Sequence, residues 1–172
     1  METRSLLTNF RGDGNKLHGT IPYNSPTQIL EEGRMFTEII RPTAFRRALA
    51  SGGRILATLN HDPSKLLGTT HSGTLALRDE PDGLRFEVDL PDTPTGNEVR
   101  TLVQRGDLNG ASFTFTVRKG GDKWTDNTRE LVDVFLYELG PVALPAYSTS
   151  ALGLRNLDFD LLEWQLRIAE KL

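Results

Sequence analysis

The stretch Gly110-Ala111-Ser112-Phe113-Thr114-Phe115-Thr116-Val117 changes character at every step, with Phe113, Phe115 and Val117 on one side of an extended chain and Ser112, Thr114 and Thr116 on the other. It predicts a β-strand that sets a row of hydroxyls opposite an aromatic row. Upstream, Gly73 to Leu77 and Leu84 to Leu90 alternate in the same way around the turn Glu80-Pro81-Asp82-Gly83, which predicts an antiparallel hairpin. A second hairpin is expected from Leu6 to Phe10 and Leu17 to Ile21 around Gly12-Asp13-Gly14-Asn15, where residues tolerant of positive φ cluster. Single strands are expected over Arg34 to Ile40 and Ile55 to Leu59, and a long strand, buried on both faces, over Arg129 to Leu139.

Helices are fewer. Pro42 suits the first turn of a short helix from Thr43 to Ala50, closed by Ser51-Gly52-Gly53. Thr95 and Glu98 have capping-box spacing ahead of a helix over about 96–105, which ends in Arg105-Gly106. Pro141 and Pro145 are expected to stop regular structure, and Asp158 to Leu172 places Leu161, Leu162, Trp164, Leu166 and Ile168 at helical spacings. The fold class is therefore mainly β with peripheral helices (α+β). One domain over residues 1–155 carries an amphipathic helix over 156–172 that packs on it, pairs two subunits or continues into a tail.

Composition narrows the function. A length of 172 residues fits one ordinary domain, and 16 Gly with 9 Pro punctuate the chain too often for an all-helical bundle. A net charge of −3 gives no electrostatic case for nucleic acid. With no Cys, thiolate catalysis, disulfides, zinc ribbons and iron–sulfur clusters are excluded. Neither an apolar run long enough to cross a membrane nor a secretory signal is present, so a soluble protein without membrane partners is expected. Gly52-Gly53 and Gly120-Gly121 lack the spacing of a phosphate loop, and no Gly-x-Ser-x-Gly elbow occurs.

Of the 3 histidines, His18 reads as a half-exposed strand residue and His71 as part of a solvated turn, Thr69-Thr70-His71-Ser72-Gly73. His61 differs, because it stands where the strand Ile55 to Leu59 hands over to a loop, positioned by the scaffold yet reachable. A metal site built on His61 and Asp62 fails for want of further ligands. Ser112 reads as a polar-face serine or a nucleophile. Glu138, out of keeping with Leu136-Tyr137-Glu138-Leu139-Gly140-Pro141, is a sheet-edge charge or an orienting partner for an imidazole.

An ordered series now bears on these alternatives. It comprises Phe36-Thr37-Glu38-Ile39-Ile40-Arg41-Pro42-Thr43-Ala44-Phe45, Leu59-Asn60-His61-Asp62, Leu67-Gly68-Thr69-Thr70 with Gly73-Thr74-Leu75, and Leu90-Pro91-Asp92-Thr93. Val103 to Phe113 and Glu138 to Tyr147 complete it. The series resembles the HK97-type phage prohead maturation proteases over roughly residues 5–150. The resemblance implies a serine endopeptidase with the fold of herpesvirus assemblins, a small β-barrel wrapped by short helices. His61 would be the general base, Ser112 the nucleophile and Glu138 the third member that orients His61. By analogy with the arginine-bearing strand of the herpesvirus enzymes, oxyanion donors would come from main-chain amides near Arg129 and Glu130 or from the Arg129 guanidinium.

No cofactor or metal is implied. The implied partners are the major capsid protein with its scaffolding segment, and the chain itself through self-cleavage or a homodimer, inside the procapsid in the host cytoplasm. At Ala111 and Thr114 many members carry Met and Gly, and Thr114 bears on how close a substrate backbone comes beside the nucleophile. The readings from other classes are a catalytically silent structural β-barrel of a capsid or scaffold and a metal-dependent hydrolase.

Overall fold

The computed structural model describes residues 1–7, 10–31 and 33–143. The expected helix over Asp158 to Leu172, the stop at Pro145 and the boundary at residue 155 lie outside them. Among the described residues, thirteen strands and two helices follow one another as β1 (Glu2–Leu7), β2 (Arg11–Asp13), β3 (Lys16–Pro22), β4 (Thr27–Glu31), β5 (Arg34–Ile40), α1 (Arg46–Ala50), β6 (Leu56–Leu59) and β7 (Asp62–Thr69). The second half holds β8 (Leu75–Glu80), β9 (Gly83–Asp89), α2 (Pro94–Arg105), β10 (Gly110–Val117), β11 (Asp122–Thr125), β12 (Thr128–Leu131) and β13 (Val134–Val142). The chain is thus mainly β with peripheral helices, as expected.

The strands form a five-stranded sheet, β1-β10-β13-β6-β7, and two four-stranded sheets, β11-β12-β5-β4 and β2-β3-β9-β8. Each sheet keeps its two edges, so among the described residues there is no closed barrel. One core joins them. Phe113 and Phe115 on β10 are fully buried and stacked at 5.3 Å, and Phe45, just before α1, meets Phe113 edge-on at 5.7 Å.

Several local expectations change in the structure. The β8–β9 hairpin forms as read, but the first hairpin is only β2 with β3, while Leu6 belongs to β1 and pairs with Ala111 on β10. That partner lies far along the chain. The long strand over Arg129 to Leu139 is two strands: β12 pairs parallel with β5, and β13 pairs with β10 and β6 in another sheet. The mixed apolar pattern came from this change of sheet rather than from one strand buried on both sides.

Pro141 does not end regular structure; it lies inside β13 opposite Ala111, past the last β6 pairing at Leu139 and Ala57, where a missing N–H breaks no ladder on that side. The cap of α2 is Thr93, whose hydroxyl accepts from the Gly96 amide at 3.3 Å, with Pro94 opening the helix and Gly106 closing it at φ 79°. Thr95 is already inside the helix.

Candidate active site

β10 is the central support of the site. Its aromatic row faces the core, and Ser112 and Thr114 on the opposite row are themselves 1% and 9% exposed, because β1 and β13 flank them. In register, Ser112 lies opposite Ser5 on β1 and Gly140 on β13, and Thr114 lies opposite Glu138. The latter pair puts a carboxylate one pleat away from the serine, on the same face.

β6 and β7 bring the imidazole. Leu59 pairs with Asp62, leaving Asn60 and His61 as a two-residue turn in which both have positive φ, 54° and 58°. A two-residue hairpin turn of this hand requires positive φ at both central residues, which Asn and His adopt more often than most side chains. The turn is tied down at Asn60, whose amide donates to the Pro141 carbonyl at 3.0 Å and whose side-chain oxygen accepts from the Ala143 amide at 2.9 Å. Asp62 turns away, bonded to the Ser64 hydroxyl and amide, which hold its carboxyl below its ordinary pKa.

The structure brings His61, Ser112 and Glu138 together. His61 Nδ1 is 2.5 Å from Glu138 Oε2, and His61 Nε2 is 2.6 Å from Ser112 Oγ. A carboxylate only accepts, so the proton on that side resides on Nδ1, which leaves Nε2 as the acceptor facing the serine hydroxyl in the neutral ring. Threonines hold both carboxylate oxygens: Thr58 Oγ1 donates to Oε1 at 2.5 Å, and Thr114 Oγ1 joins His61 on Oε2 at 3.1 Å. Thr114 is therefore a supporting donor.

The serine has two further neighbours, both on β1. Ser112 Oγ donates to the Arg4 carbonyl at 2.9 Å, and Ser5 Oγ donates to Ser112 Oγ at 2.9 Å. Thr58, Asn60 and Ser5 are contributors that sequence reasoning missed. Thr58 left a faint signal, a hydroxyl inside the apolar run Leu56-Ala57-Thr58-Leu59. Ser5 left none.

The Arg129 guanidinium is not available as an oxyanion donor. It bonds Glu2 at 2.6 and 3.1 Å, Asp122 at 2.9 Å and Glu38 at 3.2 Å, inside a cluster that also holds Arg4, itself 2.7 Å from Glu38. Burial works against the charge of Arg4, but the Glu38 hydrogen bond and the charges of Glu38, Glu2 and Glu31 together raise its pKa. Arg129 is raised in the same sense, with burial opposed chiefly by Glu2. These carboxylates claim the guanidinium first. His18 is 39% exposed beside Glu87, and His71 lies exposed in its turn, neither near the triad's hydrogen bonds.

No helix among the described residues is long and apolar enough to cross a membrane. No curated protein matches the chain in sequence. Among solved structures it is similar to the capsid assembly protease gp21 of bacteriophage T4, with 10% identity and a TM-score of 0.52 over 84% of this chain and 100% of that one. At that identity the likeness shows a shared fold alone. The family model for caudovirus prohead serine protease matches residues 9–162, nearly the whole chain, and the chain belongs to that family.

Proposed function

We propose that this member of the prohead protease family is a serine endopeptidase with Ser112 as nucleophile, His61 as general base and acid, and Glu138 as the residue that orients His61. One observation carries the reading: side chains from β10, β13 and the β6–β7 turn form an unbroken chain of contacts, Glu138 to His61 at 2.5 Å and His61 to Ser112 at 2.6 Å. The Ser112 hydroxyl has one proton and two acceptors in reach, the Arg4 carbonyl and His61 Nε2. Attack uses the conformer that donates to His61.

In that conformer Ser112 Oγ adds to the carbonyl carbon of the scissile bond as its proton passes to Nε2. The imidazolium, steadied by Glu138, then gives that proton to the leaving amine, and the acyl-enzyme forms. Water, losing a proton to Nε2, releases the new carboxyl group and restores Ser112. Thr58 and Thr114 keep the carboxylate from rotating as the charge on His61 comes and goes.

The family description and the T4 neighbour support capsid maturation as the setting. The proposed substrate is the scaffolding segment of the major capsid protein, with the chain itself as a second target, and the proposed place is the procapsid interior in the host cytoplasm. A silent structural β-barrel would be free to lose any of the three side chains, and here all three are present at hydrogen-bond distance. Co-expression with the cognate major capsid protein, read by intact-mass spectrometry, is the test. Wild type should trim the capsid protein, while Ser112→Ala should not, at an unchanged melting temperature. Equal trimming by both would end the serine mechanism.

A further inference from the structure

The face that carries Ser112 and Thr114 continues along β10 to Thr116, and just past the strand to Arg118. β13 follows it with a register shift: Thr114 pairs with Glu138, but Phe115 pairs with Leu136, so Tyr137 is an extra residue. Bulges of this kind re-aim side chains and are frequent beside active sites. Without it, Glu138 and Phe135 would point to opposite faces; with it, Phe135 pairs with Thr116 on the triad's face. Phe135 and Tyr137 are 41% and 39% exposed and stand stacked, 6.4 Å between centroids.

The pair is braced on both sides. Tyr137 Oη lies 2.9 Å from Thr116 Oγ1, and the Arg118 guanidinium sits 3.2 Å over the Phe135 ring, ion-paired to Asp133 at 3.1 Å. Solvent-facing aromatics fixed in this way contribute contact area at little further cost in side-chain freedom, which is the habit of recognition sites rather than of ordinary surface.

We propose, resting on Ser112 being the nucleophile, that Phe135 and Tyr137 form a substrate subsite that takes an apolar side chain of the peptide to be cut. Thr116 is four residues beyond Ser112 on β10, a span of about 13 Å at the rise of a strand. An extended peptide laid along this face covers the same span in about four residues, with alternate side chains turned to the sheet. His61 and Glu138 cover Ser112 and Thr114, so the peptide runs beside that row toward Thr116, and the aromatic pair meets a side chain three to five residues from the scissile bond. Arg118 beneath Phe135 disfavours a cationic occupant, so the chemistry that fits is aliphatic or aromatic.

The test starts with wild-type full-length chain digesting a mixture of peptides from a denatured proteome, with cut sites read by mass spectrometry. Leu, Ile, Met or Phe should be enriched at one position three to five residues from the cut. Synthetic pairs with Leu or Ser at that position then give a ratio of kcat/KM that does not depend on how much of a variant is folded. We expect a ratio of about tenfold or more in wild type, retained in Tyr137→Phe and collapsing toward one in Phe135→Ser and Tyr137→Ser. A wild-type ratio near one, or a ratio unchanged in both Ser variants, overturns the subsite while leaving the protease reading intact. A change in oligomeric state with the ratio preserved assigns the pair to a contact between copies and also overturns it. No cleavage at all by wild type overturns the protease reading, and the subsite with it.

Discussion

Replacing Glu138 by Gln keeps the side chain's length and removes its charge, and the surrounding donors determine what that costs. The carboxylate accepts from Thr58 on one oxygen and from His61 and Thr114 on the other. An amide can keep its oxygen toward His61 and Thr114, turning its NH2 to the Thr58 hydroxyl, which can accept. Nδ1–H is then still bonded, and only the charge opposite the imidazolium is lost. Flipped, the NH2 would face Nδ1, and the proton would have to move to Nε2, where it blocks transfer from Ser112.

The flipped form resembles the wrong-tautomer state that costs about 10⁴ in a Ser-His-Asp triad. The unflipped form is favoured because it keeps Nδ1–H donating to an oxygen, while either threonine hydroxyl can donate or accept. We therefore expect a loss of about 10- to 1000-fold, equivalent to roughly 1.4–4 kcal/mol of barrier. The rate at which a small fluorophosphonate labels Ser112, followed by intact mass beside a thermal melt, reads it. Labelling as fast as wild type, or a loss that tracks unfolding, would refute the orienting role and leave a dyad of His61 and Ser112.

Gly140→Ala should cost several kcal/mol or prevent folding, because a Cβ there would lie 2.0 Å from the Thr58 carbonyl oxygen; Gly53→Ala, with its nearest neighbour at 3.6 Å, should melt near wild type. Thr58→Val keeps the shape of a side chain that is 2% exposed and removes the donor to Glu138 Oε1. About 1.5–3 kcal/mol of stability and part of the labelling rate should go with it, and a variant equal to wild type in both would show that Thr58 is dispensable. Glu38→Gln removes the carboxylate, 3% exposed, that joins Arg4 to Arg129. Urea unfolding should register about 3–5 kcal/mol, and a midpoint within error of wild type would mean that Glu2 and Asp122 suffice for the two guanidiniums.

What could be read in the chain divides by distance along it. The alternation of β10 and the β8–β9 hairpin is visible because neighbouring residues carry the signal. His61 stood out for the same reason, as an imidazole at the end of an apolar strand. The fates of Leu6, Pro141 and the Arg129 to Leu139 run depended on which strand each segment pairs with, and pairing leaves no mark in local periodicity. Ser112, Glu138 and His61 were named together only through family resemblance, since nothing local says that Thr114 pairs with Glu138. The bulge at Tyr137 is invisible for a related reason, because the residue is extra only relative to the facing strand. Thr95 misled because Thr93, two residues earlier, met the same capping requirement with Pro94 already behind it.

The contacts of the site join residues remote in sequence: Ser5 and Ser112 are 107 positions apart, His61 and Ser112 51, His61 and Glu138 77, and Thr58 and Glu138 80. No fragment of the polypeptide contains a working constellation in miniature. While the chain is being synthesised, base and nucleophile can both have emerged before the strand that carries the carboxylate exists, and β10 lacks its β13 neighbour until then. Such distant pairings form late and slowly. On the proposed reading, nucleophile and base wait for β13 before the site is complete, and the appearance of full Ser112 reactivity during refolding becomes a clock for the closing of the five-stranded sheet.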